Sequence, residues 1–177
     1  DVCSSDPPGL GAAAGRPPPI EHAMTSILAT GHEFTTIFGR NLLGEIPAIA
    51  RPPYLVVTMA DLWDRFRHHF TGDLAGPYLV HTIDGDALAA ELPAIPACGS
   101  VVGLGGGQAI DVAKFIAWSR RLPLFQVPTS MSVDAPYGHR AGLRYGGYVK
   151  YVGFAVPEAV YVDFDVLAAA PPHLNRS

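Results

Sequence analysis

Cysteine is scarce: the chain of 177 residues carries two, Cys3 and Cys98. They offer neither a disulfide framework nor a metal-ligand spacing, so a reducing cytoplasm is the expected setting. Basic residues do not predominate either. The formal net charge of -4 argues against a nucleic-acid binder that works by neutralising phosphates. No block of like charge marks an interaction tail. No apolar stretch approaches the roughly 18 residues of a membrane span, and the N-terminus lacks the basic-then-apolar order of a signal peptide. What the chain does have is core: 49% of its residues are hydrophobic. Its length fits one domain, or one domain and a piece of another.

Residues 1–33 do not read as fold. Pro7-Pro8-Gly9, Gly11 to Gly15 and Pro17 to Pro19 lack periodicity and predict a disordered tail. Asp1 to Asp6 reads as the translation of a common sequencing-adapter stretch, which would make those residues foreign and Cys3 an artefact. Order is expected over 34–177. Short apolar runs at Thr35 to Phe38, Tyr54 to Thr58, Tyr78 to Thr82, Val101-Val102, Pro123 to Val127 and Ala159 to Val162 read as strands. Between them the spacing is helical. Asp61 is placed to cap a helix through Leu62, Trp63, Phe66 and Phe70, which Gly76-Pro77 breaks; further helices are expected over 86–92 and from Gln108 to Ser119. Strands alternating with helices predict an α/β fold, a Rossmann-like parallel sheet with helices on both faces. After Pro128 comes a polar loop over 129–138 with no room for a helix. Gly146-Gly147 then predicts a β-hairpin, and Asp163 or Asp165 is placed to cap a last helical turn.

The richest stretch is Ser100-Val-Val-Gly-Leu-Gly-Gly-Gly-Gln-Ala-Ile-Asp-Val-Ala-Lys114. A strand, a glycine turn and a helix in that order aim free backbone N–H groups and a positive helix end at one point, which is how a phosphate is held. The spacing is not G-x-G-x-x-G, whose last glycine would fall at Gln108, and no Gly-Lys-Ser/Thr ends it as in a P-loop. Packing alone seldom needs so many glycines, so phosphate binding is favoured. Asp111 and Lys114 share a helix face and read as a surface pair worth about 0.3 kcal/mol.

Gly105 to Lys114, followed by Val127-Pro-Thr-Ser-Met-Ser-Val-Asp134, resembles the iron-containing alcohol dehydrogenase superfamily, within it the glycerol dehydrogenase and glycerol-1-phosphate dehydrogenase branch. The resemblance spans the ordered chain. It implies a dehydroquinate synthase-like N-terminal domain, with the helical domain that completes such enzymes lying beyond this sequence. Gly105, Gly106, Gly107, Gln108, Ala109, Ile110 and Asp111 match the stretch that meets the dinucleotide pyrophosphate. Thr129 and Ser132 match a Thr-x-x-Ser that also contacts the cofactor, NAD or NADP. Asp134 matches the aspartate that meets the polyol or polyol phosphate, where a carboxylate accepts hydrogen bonds from hydroxyls. By its residues alone Asp134 is a turn-former before Ala135-Pro136. Two positions depart from the pattern: Gly138 stands where a further cofactor serine is usual, and Thr58 lies near the place of an acid for the adenosine ribose. NAD against NADP therefore stays open.

The same resemblance implies zinc or iron held by an aspartate and two histidines, all falling past Ser177. The 177-residue chain alone is accordingly expected to be inactive and to expose apolar surface where the rest would pack. His68 and His69 are expected to point apart and share no site. His22, His32, His81, His139 and His173 read as solvated or packed, with His139 closest in sequence to Asp134. Arg140, Arg144 and Lys150 are candidates for a substrate phosphate only by proximity in sequence. The rival enzyme is a sugar-phosphate cyclase of the dehydroquinate synthase type; the rival outside enzymes is a nucleotide-binding module. A small-molecule substrate is expected, with no nucleic-acid or membrane partner, and a homo-oligomer is compatible with the sequence.

Overall fold

The β-branched and aromatic runs become strands in the computed structural model, which describes residues 35–131, 134–171 and 174. The expected tail, Ser132 and His173 lie outside the described residues. Strands β1 (Thr35–Gly39), β2 (Tyr54–Thr58), β3 (Leu74–Leu79), β4 (Ser100–Gly105), β5 (Leu124–Pro128) and β8 (Ala159–Asp163) form one parallel sheet in the order β1-β8-β5-β4-β2-β3. β2, β4, β5 and β8 are buried along their whole length, as a sheet covered on both faces requires. β6 (Ala141–Tyr145) and β7 (Tyr148–Val152) pair antiparallel as the expected hairpin, with Gly146 and Gly147 at φ 57° and 84° in its turn.

Alternation along the strands assigns the two faces. Leu55, Val101 and Leu124 share one core with Leu88 of α3 (Gly85–Glu91) and Ile116 of α4 (Gly107–Arg120). Val56, Val102, Leu104 and Val127 share the other with Ile46 of α1 (Ile46–Ile49), Phe66 of α2 (Ala60–Phe66) and Val166 of α5 (Phe164–Ala168). α4 is buried over almost its whole middle because it is covered twice. The sheet lies on one side, where Gly103 leaves room for Ala113, and Ala141 and Leu143 of the hairpin close the same core.

Three local readings change. β3 starts at Leu74 and runs through Gly76-Pro77, which the sequence reads as a helix break. As the edge strand it pairs with β2 alone, so the missing N–H of Pro77 is tolerated. α2 ends at Phe66 instead of reaching Phe70 and has Met59, not Asp61, at its N-cap; a 3-10 turn follows over Arg67–His69. The polar loop does hold one short 3-10 turn, Ala135–Tyr137. Asp163 caps α5 as expected, accepting from the N–H of Asp165 at 2.9 Å.

The chain leaves β2 outward to β3, returns to β4, and then moves the opposite way to β5 and β8. The order therefore reverses between β2 and β4. The helices that follow these two strands, α2 and α4, cover opposite faces. The carboxyl ends of β2 and β4 flank the crevice in which open α/β sheets receive ligands. The hairpin leaves Tyr148, Val149 and Tyr151 exposed, with exposed Phe154 just beyond. Among the described residues no helix is long and apolar enough to cross a membrane.

Candidate dinucleotide site at the glycine turn

Gly105 ends β4 at φ 154°, a backbone conformation that side-chain-bearing residues rarely adopt, and a Cβ there would lie 2.7 Å from that of Ala109. Gly106 is the N-cap of α4, and a Cβ on it would meet nothing within 4 Å. The turn is thus open on the side where a ligand would approach. Gly107, Gln108 and Ala109 form the first turn of α4, whose N–H groups have no acceptor within the helix. Ala109 and Ile110 are buried, Gln108 is exposed, and Asp111 is half-buried.

A cavity of about 540 Å³ opens on one side of this turn, within the range of small-ligand sites. Gly107, Asp111, Lys114, Asp134, His139 and Arg140 line it, with Tyr151 and Phe154 on the hairpin side. Thr129 stands beside it after β5, buried, its N–H donating to the carbonyl of Gly105 at 3.1 Å. The structure therefore gathers Gly107, Asp111, Thr129 and Asp134 around one end of α4. Asp134 is exposed and opens the 3-10 turn Ala135–Tyr137.

Lys114 is no surface residue. Its side chain is 1% exposed, and Nζ lies 2.8 Å from Asp111 Oδ1. It also donates to the carbonyls of Ala135 (2.9 Å), Gly138 (3.2 Å) and Arg140 (2.7 Å). The expected surface pair is instead a buried tether, because the loop after Asp134 folds back over the helix face that would otherwise be wet. Burial pushes the Asp111 carboxyl above its usual range, against the opposing pull of Lys114 and of the Gly142 N–H, with Asp134 adding to the rise.

A second hollow of about 270 Å³ lies across the turn at the ends of β2 and β3. Met59, His81, Thr82, Gln108 and Arg144 line it. Gln108 faces this hollow and Gly107 the other, so the start of α4 is a ridge between the two. The three basic residues grouped by sequence are separated: Arg140 lines the larger cavity, Arg144 the smaller, and the Lys150 ammonium sits 5.5 Å from the ring centre of Tyr145.

His68 and His69 do not diverge: their ring centres are 4.1 Å apart, because the 3-10 turn replaces the helix that would have separated them. Burial, then His68, holds His69 below the ordinary histidine range. His139 packs beside Phe154 in the larger cavity, their ring centres 5.1 Å apart, and His81 pairs with Glu91 at 3.0 Å. Among the described residues no three His, Cys, Asp or Glu side chains stand together to hold a metal ion.

The model of the iron-containing alcohol dehydrogenase family matches residues 70–171, more than half of the sequence. The chain belongs to that family. Among the relatives of this iron-containing alcohol dehydrogenase chain is the glycerol-1-phosphate dehydrogenase [NAD(P)+] of Thermoplasma volcanium. It is 36% identical over 104 residues, which cover 55% of this chain and 30% of that protein. The 3-dehydroquinate synthase of Corynebacterium glutamicum is 42% identical over 76 residues, 40% of this chain and 21% of that protein. The chain thus spans less than a third of the length of these curated relatives. A probable glycerol dehydrogenase from Sinorhizobium meliloti shares the fold, with a TM-score of 0.69 at 23% identity over 78% of this chain and 41% of that one.

The sequence names Arg140, Arg144, His139 and Gln108 but not the two hollows that they line, and it misses Tyr151, Phe154 and His81 as lining residues. His81, Arg140 and Arg144 belong to no spaced motif; only the folding of the hairpin over α3 and α4 brings Arg144 to the end of β3.

Proposed function

We propose that this chain is the dinucleotide-binding part of a metal-dependent, NAD(P)-linked polyol dehydrogenase acting on glycerol-1-phosphate or glycerol. The observation that carries the reading is the ridge: an open glycine turn at the strand-order switch, with one hollow on each side. A dinucleotide has that shape, two nucleosides joined by a pyrophosphate. The N–H groups from Gly105 to Ala109 would hold the pyrophosphate, with Ile110 and Asp111 fixing the helix start beneath it.

The nicotinamide half would lie in the larger cavity, beside Thr129 at the end of β5, with Ser132 a further cofactor contact by its sequence motif, and the adenosine half in the smaller hollow. When bound, the nicotinamide supplies the carbon that takes up or gives back a hydride. Asp134 would accept hydrogen bonds from substrate hydroxyls and so orient the carbon that reacts. Arg140 and His139, on the same wall, suit a substrate phosphate. Lys114 keeps that wall in register with the helix. The zinc or iron of the family would take its donors from residues outside the described ones, so the 177-residue chain would bind cofactor without turning over a polyol. A cytoplasmic setting and the domain limits 1–33 and 34–177 complete the reading.

The matching 3-dehydroquinate synthases keep a second chemistry in view, a cyclase that borrows a hydride and returns it. Calorimetric titration of the chain with NAD and NADP tests the first step: saturable binding is expected, and no heat with either dinucleotide from a folded sample sinks the proposal. In the complete protein, net accumulation of NAD(P)H with glycerol-1-phosphate or glycerol supports the dehydrogenase. Cyclisation without net reduction supports the cyclase.

A further inference from the structure

The smaller hollow lies where a dinucleotide crossing the ridge would place its adenosine ribose, beside the end of β2 next to the glycine strand. A carboxylate at that strand end takes the two ribose hydroxyls of NAD, whereas an arginine nearby suits the 2′-phosphate of NADP. Here β2 ends in Thr58, fully buried, and Met59 follows it; neither carries a charge. The hollow's charged side chains are His81 and Arg144.

The structure holds Arg144 in place by its backbone, and its side chain has no partner among the described residues. Its N–H donates to the carbonyl of Ile83 at 2.8 Å, and it bridges Asp84 across the strand ends. The next residue, Tyr145, lies so close over Gly85 that a Cβ there would come within 2.0 Å of the ring. Asp84 and Asp86 lie near enough to act on the neighbouring Tyr145, and two nearby carboxylates, Asp84 and Glu91, are engaged elsewhere. Asp84 accepts from the N–H of Ala87 at 2.9 Å, and Glu91 is held by Tyr78 (2.6 Å) and His81 (3.0 Å). The Arg144 guanidinium has no hydrogen bond or ion pair among the described residues, and the residue lines the hollow together with Thr82 and Gln108.

We infer that this hollow is a 2′-phosphate site and that Arg144, carried in on the hairpin from outside the nucleotide-binding motif, selects NADP over NAD. The inference rests on the dinucleotide reading above. A planar guanidinium pairs a phosphate dianion through two parallel hydrogen bonds, and Thr82 and Gln108 are placed to complete its shell. His81, at the rim, is already engaged by the Leu79 carbonyl and by Glu91, so the phosphate falls to Arg144.

Calorimetric titration of the 177-residue chain with NADP, NAD, 2′,5′-ADP and 5′-ADP tests it. NADP is expected to bind about tenfold or more tightly than NAD, and 2′,5′-ADP more tightly than 5′-ADP by a similar factor. In Arg144→Gln both ratios should fall close to one, and raising the salt should shrink both ratios in the parent chain. Equal affinities in the parent, or ratios that Arg144→Gln leaves unchanged, overturn the inference while the dinucleotide reading stands. Failure of all four ligands to bind a chain that remains folded by circular dichroism overturns both.

Discussion

Lys114 Nζ lies 2.8 Å from Asp111 Oδ1 with only 1% of the lysine side chain exposed, and the same ammonium binds three carbonyls of the loop that follows Asp134. One turn of α4 thereby fixes the wall of the larger cavity. Removing the lysine strands a half-buried carboxylate and three acceptors. Lys114→Met should lower the stability of the chain by about 3 to 5 kcal/mol in urea unfolding, the cost of breaking a buried pair from one side. Asp111→Asn with Lys114→Met should lose less than the two single changes summed, because the double variant leaves no unpaired charge. Strict additivity would show that the two residues do not act as a pair.

Gly106 gives a cleaner handle on binding. Its φ of -80° suits any residue, and a Cβ would touch nothing within 4 Å. Gly106→Val should therefore fold with a loss of no more than about 1 kcal/mol. Its isopropyl group would stand where a pyrophosphate must approach the first-turn N–H groups. Dinucleotide affinity should fall by about tenfold or more, since these are charge-assisted bonds. Unimpaired binding by a folded Gly106→Val chain would move the pyrophosphate away from this turn.

Much of this geometry is legible in the sequence because it is local. Val101 to Lys114 announces strand, turn and helix through composition and period, and Val127-Pro128-Thr129 follows at the distance the parallel sheet needs. What escapes is whatever depends on chain return. Lys114 looks solvent-facing by its spacing from Asp111, since nothing within α4 tells of the loop laid over it. Arg144 belongs to a hairpin whose own pattern says only that it turns; its place beside Thr82 is set by Tyr145 over Gly85 and by the bond from Arg144 to Ile83. Pro77 misleads for a related reason, because an edge strand accepts a proline that a central strand refuses, and edge position is a property of the whole sheet.

His81 links the smaller hollow to pH. The carbonyl of Leu79, then the hydrogen bond and charge of Glu91, raise the imidazole above its ordinary value of 6.5. A raised basic group stabilises the fold fully below its unfolded pKa, and the contribution disappears as pH rises through the higher folded value. Stability should thus decline across a window that begins near 6.5 and closes at that folded value. Proton NMR of the His81 ring should report the raised titration, and Glu91→Gln should lower it while leaving the share due to Leu79. A titration indifferent to Glu91→Gln would show that the 3.0 Å contact does not persist in solution.

The buried sheet also carries two polar groups that the proposed chemistry does not use. Among the described residues neither the side-chain nitrogen nor the oxygen of Gln126 has a partner, and the Thr58 hydroxyl has none, although both residues are fully buried. Each unsatisfied buried group costs about 1 to 3 kcal/mol, whereas an apolar group of the same shape costs nothing comparable. Gln126→Met and Thr58→Val should therefore each stabilise the chain, by about 1 kcal/mol, read as a higher midpoint in urea at unchanged slope. Gln126 shares its register position with Gly103, while Thr58 shares that of Leu104 and Val127, one residue further along. Successive residues of a strand point to opposite faces, so the two side chains lie across the sheet from each other and their gains should add. A loss of stability in Gln126→Met would mean that the amide holds a partner in solution, with an ordered water between Gly103 and Val160 the first place to look.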